Sequence, residues 1–288
     1  MGKLVYSHGE ILVNKDFPSH ELTEKWIRNK QFLKYELTQL LLKKKGGRKR
    51  NRLYCFCHDC VQCDVVMKVS QIDQSYKFWR KVDLFITGLF KDYNYRSYIG
   101  SLKMQEAGID TIEPIAYWTY KPSWFRRKSY LLYKKIESEL TVAQLCNKIH
   151  FSDTKEKDVL IKAVVNRCVS IVRGIHAANI RHDDPHGNNI LLDLKDADIG
   201  TLDEEKINSA RFTLIDNDRC TSARIAIPRV KLFFDLKCLA RFQICELPPE
   251  ELLRQYLGEE YRIYWWHVVN FWISGGFKLH KLLCNLFK

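Results

Sequence analysis

The sequence predicts an α+β fold in two lobes: a small, β-rich one over residues 1–135 and a larger, helical one over residues 136–288. Three observations carry this. Arg52-Leu53-Tyr54-Cys55-Phe56 alternates, and Asp64-Val65-Val66-Met67-Lys68-Val69 is an almost continuous apolar run, so two strands precede any long helix. Val159 to Ala177 places Leu160, Val164, Val169, Val172 and Ile175 at helical spacings. Downstream, the apolar runs Ile190-Leu191-Leu192 and Phe212-Thr213-Leu214-Ile215 form a hairpin that ends on Asp216. The 288 residues are enough for one two-lobed domain with a sizeable core.

The elements follow in order. Residues 1–30 are mixed polar and weakly patterned. Gln31 to Lys45 is apolar-rich and reads as the first strand of the small lobe. The basic run Lys43 to Arg50, with Gly46-Gly47 inside it, makes a turn into the strand at Arg52. Ser97 to Ala107 reads as a helix stopped by Gly108. Ser129-Tyr130-Leu131-Leu132-Tyr133 is a buried strand ending at Lys134-Lys135, where the two lobes would join. The Val159–Ala177 helix delivers the chain to Ile180-Arg181-His182. The hairpin from Asn189 to Asp216 has a polar, exposed tip between Lys195 and Ser209.

Charge and cysteine usage narrow the class. Lys plus Arg is 47 against 34 Asp plus Glu, a formal charge of +13. Such a chain seeks phosphates or anionic surfaces. No nucleic-acid-binding signature accompanies the charge, so nucleic acid is not an expected partner. No apolar signal segment opens the chain, which places it in the cytoplasm, and the ten Cys fit that place as reduced thiols. Cys55, Cys57, His58, Cys60 and Cys63 have spacings that suit zinc. The lack of a second, distant ligand pair favours a Cys-rich hairpin instead.

Four residues carry the chemistry. His182-Asp183-Asp184-Pro185-His186-Gly187-Asn188-Asn189 follows the H-x-D-x-x-x-x-N pattern of a kinase catalytic loop. Asp184 stands where the base takes the proton of the attacking hydroxyl, and Asn189 where an amide oxygen holds Mg²⁺. Asp216, ending its apolar strand, stands where a carboxylate binds Mg²⁺ across the phosphates of ATP. Lys68, in its apolar strand, stands where an ammonium grips the α- and β-phosphates. All four occur in the required order. Gly46 and Gly47 lie between the first strands, where kinases cover the phosphates. They form no G-x-G-x-x-G, and a solvated loop fits them as well. Little chain separates Asp216 from Asp235, and no A-P-E element lies there. A substrate smaller than a protein follows from the missing peptide-docking segment.

With these residues in hand, the chain resembles the lipopolysaccharide core sugar kinases, which include heptose and Kdo kinases and have a two-lobed, protein-kinase-like fold. The likeness rests on Gly108-Ile109-Asp110-Thr111, Ile175-His176-Ala177-Ala178-Asn179-Ile180, His182-Asp183-Asp184 with Asn189-Ile190-Leu191-Leu192, Leu214-Ile215-Asp216-Asn217-Asp218-Arg219, and Ile227-Pro228-Arg229 leading to Asp235-Leu236. It spans roughly residues 50 to 242. The resemblance implies transfer of phosphate from ATP, with Mg²⁺, to an inner-core sugar hydroxyl of a lipid-anchored acceptor. The transfer would take place at the cytoplasmic face of the inner membrane, with the protein peripheral on that anionic surface. One departure stands out: members usually carry a helix Glu paired with the strand Lys, and alignment places Ser97 there. Glu106 substitutes only if the helix is rotated.

Two other readings use the same residues. An aminoglycoside-phosphotransferase-like kinase shares the loop, but an acidic pocket suits that acceptor better than a basic chain does. A membrane-associated pseudokinase would explain the missing helix Glu, and retention of the four other groups speaks against it. The segment from Tyr261 to Lys288 holds Trp265, Trp266, Phe271, Trp272 and Phe277 among basic residues. It suits either an interfacial anchor or the core of a large-lobe helix.

Overall fold

The computed structural model describes residues 4–6, 9–38, 51–58, 63–71, 92–123, 126–138, 140–194, 201–222, 235–236, 238–239 and 249–258. The chain divides into two compact units. The first comprises residues 1–137 together with Ile215–Thr221, and the second comprises residues 138–214 and 222–288.

The first unit is built on a six-stranded antiparallel sheet. Its strands are β1 (Leu4–Tyr6), β2 (Gly9–Val13), β3 (Asn51–His58), β4 (Cys63–Gln71), β5 (Pro114–Ser123) and β6 (Arg126–Lys134), in the order β1-β2-β5-β6-β4-β3. Pleating sends alternate β4 side chains to opposite faces. Val65, Met67 and Val69 join an aromatic core on one face. That face is covered by α1 (His20–Arg28) and α2 (Phe32–Thr38), whose Trp26 and Phe32 meet Trp118 edge-on at 6.1 and 5.2 Å. The other face holds Leu12, Tyr117 and Leu131 against Tyr98 of α3 (Tyr93–Glu106). Lys68 is in register with Leu131, so the pleat points it to this second face.

Two expectations are corrected here. Phe32–Thr38 is a helix, not the first strand of the sheet. Phe32 is buried and Tyr35 stacks on Phe56 at 4.1 Å, the one-turn spacing of a helix face rather than strand alternation. The rest of that segment, 39–45, lies outside the described residues. The weakly patterned start of the chain in fact supplies β1, β2 and α1.

Helix α3 begins earlier than its apolar pattern suggests, because Asp92 caps it by accepting from the Tyr95 backbone N–H at 2.9 Å. It ends where Gly108 adopts φ +73°, with the Gly108 and Ile109 N–H groups donating to Gln105 and Met104 carbonyls. Gly100, mid-helix, is there for closeness: a Cβ built on it would lie 2.6 Å from Cys220 Cβ. The obstacle is the root of a side chain, which cannot swing aside. Gly100→Ala is expected to cost about 1–3 kcal/mol. Cys220→Gly in the same background should recover part of that loss, read by urea denaturation.

The second unit contains a small sheet of β7 (Leu140–Thr141), β8 (Ile190–Asp193) and β9 (Arg211–Leu214), with β8 in the middle. Helix α4 (Val142–Phe151) follows β7 through a capping box in which Thr141 and Gln144 bond reciprocally at 3.2 and 2.9 Å. The long helix α5 (Lys157–Ala177) buries Leu160, Val164, Val169, Val172 and Ile175. The β8–β9 connection carries a short helix, α6 (Glu204–Ser209), and the last described helix is α7 (Pro249–Leu257). Among the described residues no helix is long and apolar enough to cross a membrane.

Candidate active site

In the second unit, α5 leads through Asn179, at φ 55°, into the loop that starts at His182. Asn is among the few residues that take the left-handed region readily. The loop is held from beneath by Asp235, which is fully buried. Its carboxylate accepts the His182 N–H at 2.8 Å and the Asp183 N–H at 2.7 Å, one on each oxygen. His176 of α5 adds a third contact, Nε2 to Asp235 Oδ2 at 3.1 Å, and its Nδ1 lies 2.6 Å from the Tyr256 hydroxyl of α7. One tautomer satisfies both contacts: Nε2–H donates to the carboxylate and Nδ1 accepts from the phenol. Arg173 donates to the Tyr256 and Gln255 carbonyls, tying the end of α7 to α5.

The loop then closes on itself. The Asp184 N–H donates to His182 Nδ1 at 3.3 Å. The Asp184 carbonyl accepts from the His186 N–H at 2.9 Å and from Asn189 Nδ2 at 3.0 Å. Asn189 is therefore oriented by its NH₂ group, which leaves the amide oxygen as the group able to bind a cation. Asp183 takes φ 67° and pairs with Arg181 at 2.6 Å. The loop thus uses the backbone of Asp184. Its carboxylate is only partly buried and lies 3.7 Å from His186 Nε2.

The first unit brings Lys68 and Asp216 together. Lys68 Nζ lies 2.9 Å from Asp216 Oδ1 and 2.6 Å from Asp218 Oδ1. Burial alone would lower the Lys68 pKa, but Asp218 and then Asp216 overcome it and hold the ammonium charged above its ordinary range. Burial pushes Asp218 up to about 6, against the downward pull of Lys68, and Asp216 adds to the rise. We place the proton on the lysine, because the 2.6 Å contact is that of an ion pair. Burial also raises the Tyr133 phenol to about 12, so it stays neutral nearby. Asp216 itself sits at φ 61°, ψ 47°, a backbone state that stores strain and recurs at functional sites. The side chain of Asp216 is 48% exposed against 15% for Asp218. The half-open carboxylate of Asp216 is a hard oxygen donor of the kind a Mg²⁺ site requires.

Sequence reasoning named neither Asp218 nor Asp235 as part of the site. Asp218 had one available signal, its place directly after Asp216-Asn217. Asp235 had none beyond being the acid that follows the shortened segment. Glu106 is corrected: it is exposed on the last turn of α3, so it does not pair with Lys68, and Ser97 is buried. Gly46 and Gly47 lie outside the described residues, as do Cys60 and the aromatic tail from Tyr261. Cys55, Cys57 and Cys63 are free thiols, those of Cys55 and Cys63 raised by burial. Among the described residues no group of three metal-ligating side chains forms.

Comparison with known proteins bears on the fold and the family. No curated protein matches the chain by sequence. Among solved structures, one described as WaaP in complex with acyl carrier protein shares the fold, with a TM-score of 0.62 at 14% identity over 92% of this chain and 97% of that one. The ROP18 kinase domain in complex with AMP-PNP and sucrose (TM-score 0.40, 13% identity, 64% of this chain and 52% of that one) is too distant to carry an argument. So is the BubR1 kinase domain (TM-score 0.37, 14% identity, 79% and 52%). The model of the lipopolysaccharide kinase (Kdo/WaaP) family matches residues 101–256, more than half of the chain. The expected two-lobed, protein-kinase-like α+β fold is thus the observed one, and the chain belongs to the lipopolysaccharide kinase family, ATP-using phosphotransferases that phosphorylate a hydroxyl of a lipopolysaccharide core sugar, heptose or Kdo.

Proposed function

We propose that Lys68, Asp184, Asn189 and Asp216 are the working groups of this kinase. The observation that carries the reading is Lys68: a buried ammonium in an apolar strand, held charged and brought to the one carboxylate of its pair that remains half-open to solvent. Lys68 grips the α- and β-phosphates of ATP. By the motif each occupies, Asp216 and, through its amide oxygen, Asn189 would each serve as a ligand for Mg²⁺, which would neutralise charge on the phosphates. Asp184 orients the sugar hydroxyl and takes its proton. Catalysis of this kind comes mainly from positioning and preorganised charge. Residues 1–135 supply the phosphate grip, with Gly46 and Gly47 as its cover. Residues 136–288 supply the catalytic loop and the metal-binding Asp.

The acceptor in this reading is a lipid-anchored inner-core oligosaccharide at the cytoplasmic face of the inner membrane. The charge of +13 favours both that anionic surface and a phosphorylated acceptor. The aromatic and basic residues of the tail, Trp265, Trp266 and Trp272 among them, are the proposed anchor. The test is incubation of the full chain with labelled ATP, Mg²⁺ and dephosphorylated core lipopolysaccharide, followed by mass spectrometry of the core. Label on a heptose or Kdo residue is the expected outcome. Label on an aminoglycoside and none on the core would overturn the acceptor assignment, and nucleotide binding without transfer to either would mark a pseudokinase.

A further inference from the structure

In kinases with a helix Glu, the strand Lys is oriented by the helix, and moving the helix turns the enzyme on or off. Helix α3 offers Lys68 no such acid. Glu106 is exposed on its last turn and Ser97 carries no charge. The acid beside Lys68 comes instead from the short turn after Asp216, where Asp218 lies 2.6 Å from the ammonium and is the more buried of the two carboxylates.

The helix is fastened to the same machinery by neutral bonds. Asn94 Nδ2 donates to the Ser129 carbonyl at 2.9 Å and more weakly to the Lys68 carbonyl at 3.4 Å. Asn217, between the two acids, is fully buried and donates to Ser101 Oγ and Thr111 Oγ1, both at 2.7 Å. Gly100 lets Cys220 close against the helix on the far side of that turn. These bonds tie helix, turn and lysine strand together without an acid of the helix beside Lys68. We propose that Asp218 is the positioning residue for Lys68, taking over the work of the absent helix Glu, so that the phosphate grip is preset and helix α3 is not a switch. This rests on the assignment of Lys68 as the phosphate grip. It divides the labour of the paired acids: Asp216 faces outward for the metal, and Asp218 faces inward for the lysine.

A double-variant cycle on the full-length protein tests it, using Lys68→Met, Asp218→Asn and both together. The readouts are thermal midpoint without nucleotide, affinity for a fluorescent ATP analogue, and KM and kcat with the core acceptor. Each single variant is expected to lower the midpoint, because Lys68→Met leaves buried Asp218 without its cation and Asp218→Asn leaves Lys68 only the more exposed Asp216, and the double variant to recover most of it. Asp218→Asn should raise the KM for ATP by up to about 100-fold through misplacement of the lysine, yet add nothing once Lys68 is Met. It should leave the Mg²⁺ concentration for half-maximal rate unchanged, whereas Asp216→Asn should raise it. Glu106→Gln should leave the KM for ATP as it is.

Equal losses from Asp218→Asn in both backgrounds would mark a merely structural residue and overturn the proposal. A raised Mg²⁺ requirement in Asp218→Asn would make it a metal ligand and do the same. A higher KM in Glu106→Gln would restore the helix to the role of orienting element. Wild-type ATP binding and turnover in Lys68→Met would fail differently, removing the phosphate-grip assignment on which the proposal stands.

Discussion

Asp184→Asn is expected to abolish phosphoryl transfer while leaving the thermal midpoint where it was. The loop relies on the backbone of Asp184, whose N–H bonds His182 and whose carbonyl accepts from His186 and Asn189. These bonds are made by the Asp184 backbone, which asparagine keeps, and the side chains are nearly isosteric, so the loop is expected to hold its shape. What disappears is the proton acceptor, and loss of a general base costs about 10²–10⁴ in rate. Single-turnover transfer to the core acceptor, alongside thermal unfolding, measures both halves. Near-full transfer by the folded variant would remove Asp184 from the role of base.

Asp235→Ala should give the opposite signature, with stability and activity falling together. The carboxylate is fully buried and satisfies two backbone donors as well as His176. Alanine leaves the His182 and Asp183 N–H groups without an acceptor and His176 without its anchor. At about 1–3 kcal/mol for each buried donor left open, the two backbone groups alone cost about 2–6 kcal/mol. That is a large share of a typical domain's stability. Chemical denaturation followed by far-UV circular dichroism should show the midpoint drop, and transfer should be lost even where the fold survives. A stable Asp235→Ala protein with normal turnover would show that the loop holds its shape without this support.

The sequence and the structure agree best where residue pattern and backbone period coincide. The β4 strand around Lys68 is legible because its pleat alternates within a continuous apolar run. Helix α5 is legible because five apolar residues keep its period. Segment 32–38 is misread because Leu33, Tyr35 and Leu37 alternate with Lys34 and Glu36 as in a strand, over a stretch too short for a helical period to show. Its helical state is set by tertiary packing of Phe32 and Tyr35 on the sheet. Helix α1 is missed for a related reason: only Thr23, Trp26 and Ile27 of it are buried, too few to stand out in a polar stretch.

At the site, the H-x-D-x-x-x-x-N spacing marks the loop because a self-closing loop needs those residues close in sequence. Its support from Asp235 is not local, and a lone carboxylate far along the chain carries no period or spacing to announce it. Asp218 is hidden for another reason. Only three-dimensional contact separates its inward position from that of Asp216, and a turn of this kind has no repeating face to read.

The grouping of Ile215–Thr221 with residues 1–137 has a consequence for how the chain is made. During synthesis the first unit emerges long before the segment that carries Asp216 and Asp218. Until that segment arrives, Lys68 lacks the two carboxylates that face it in the finished unit, a state that water must keep solvated. Domains generally complete as units while the chain is being synthesised, and this one is discontinuous in sequence. Its nucleotide-gripping lysine is therefore locked in only after the catalytic loop has itself been translated, so the order of synthesis sets the grip last.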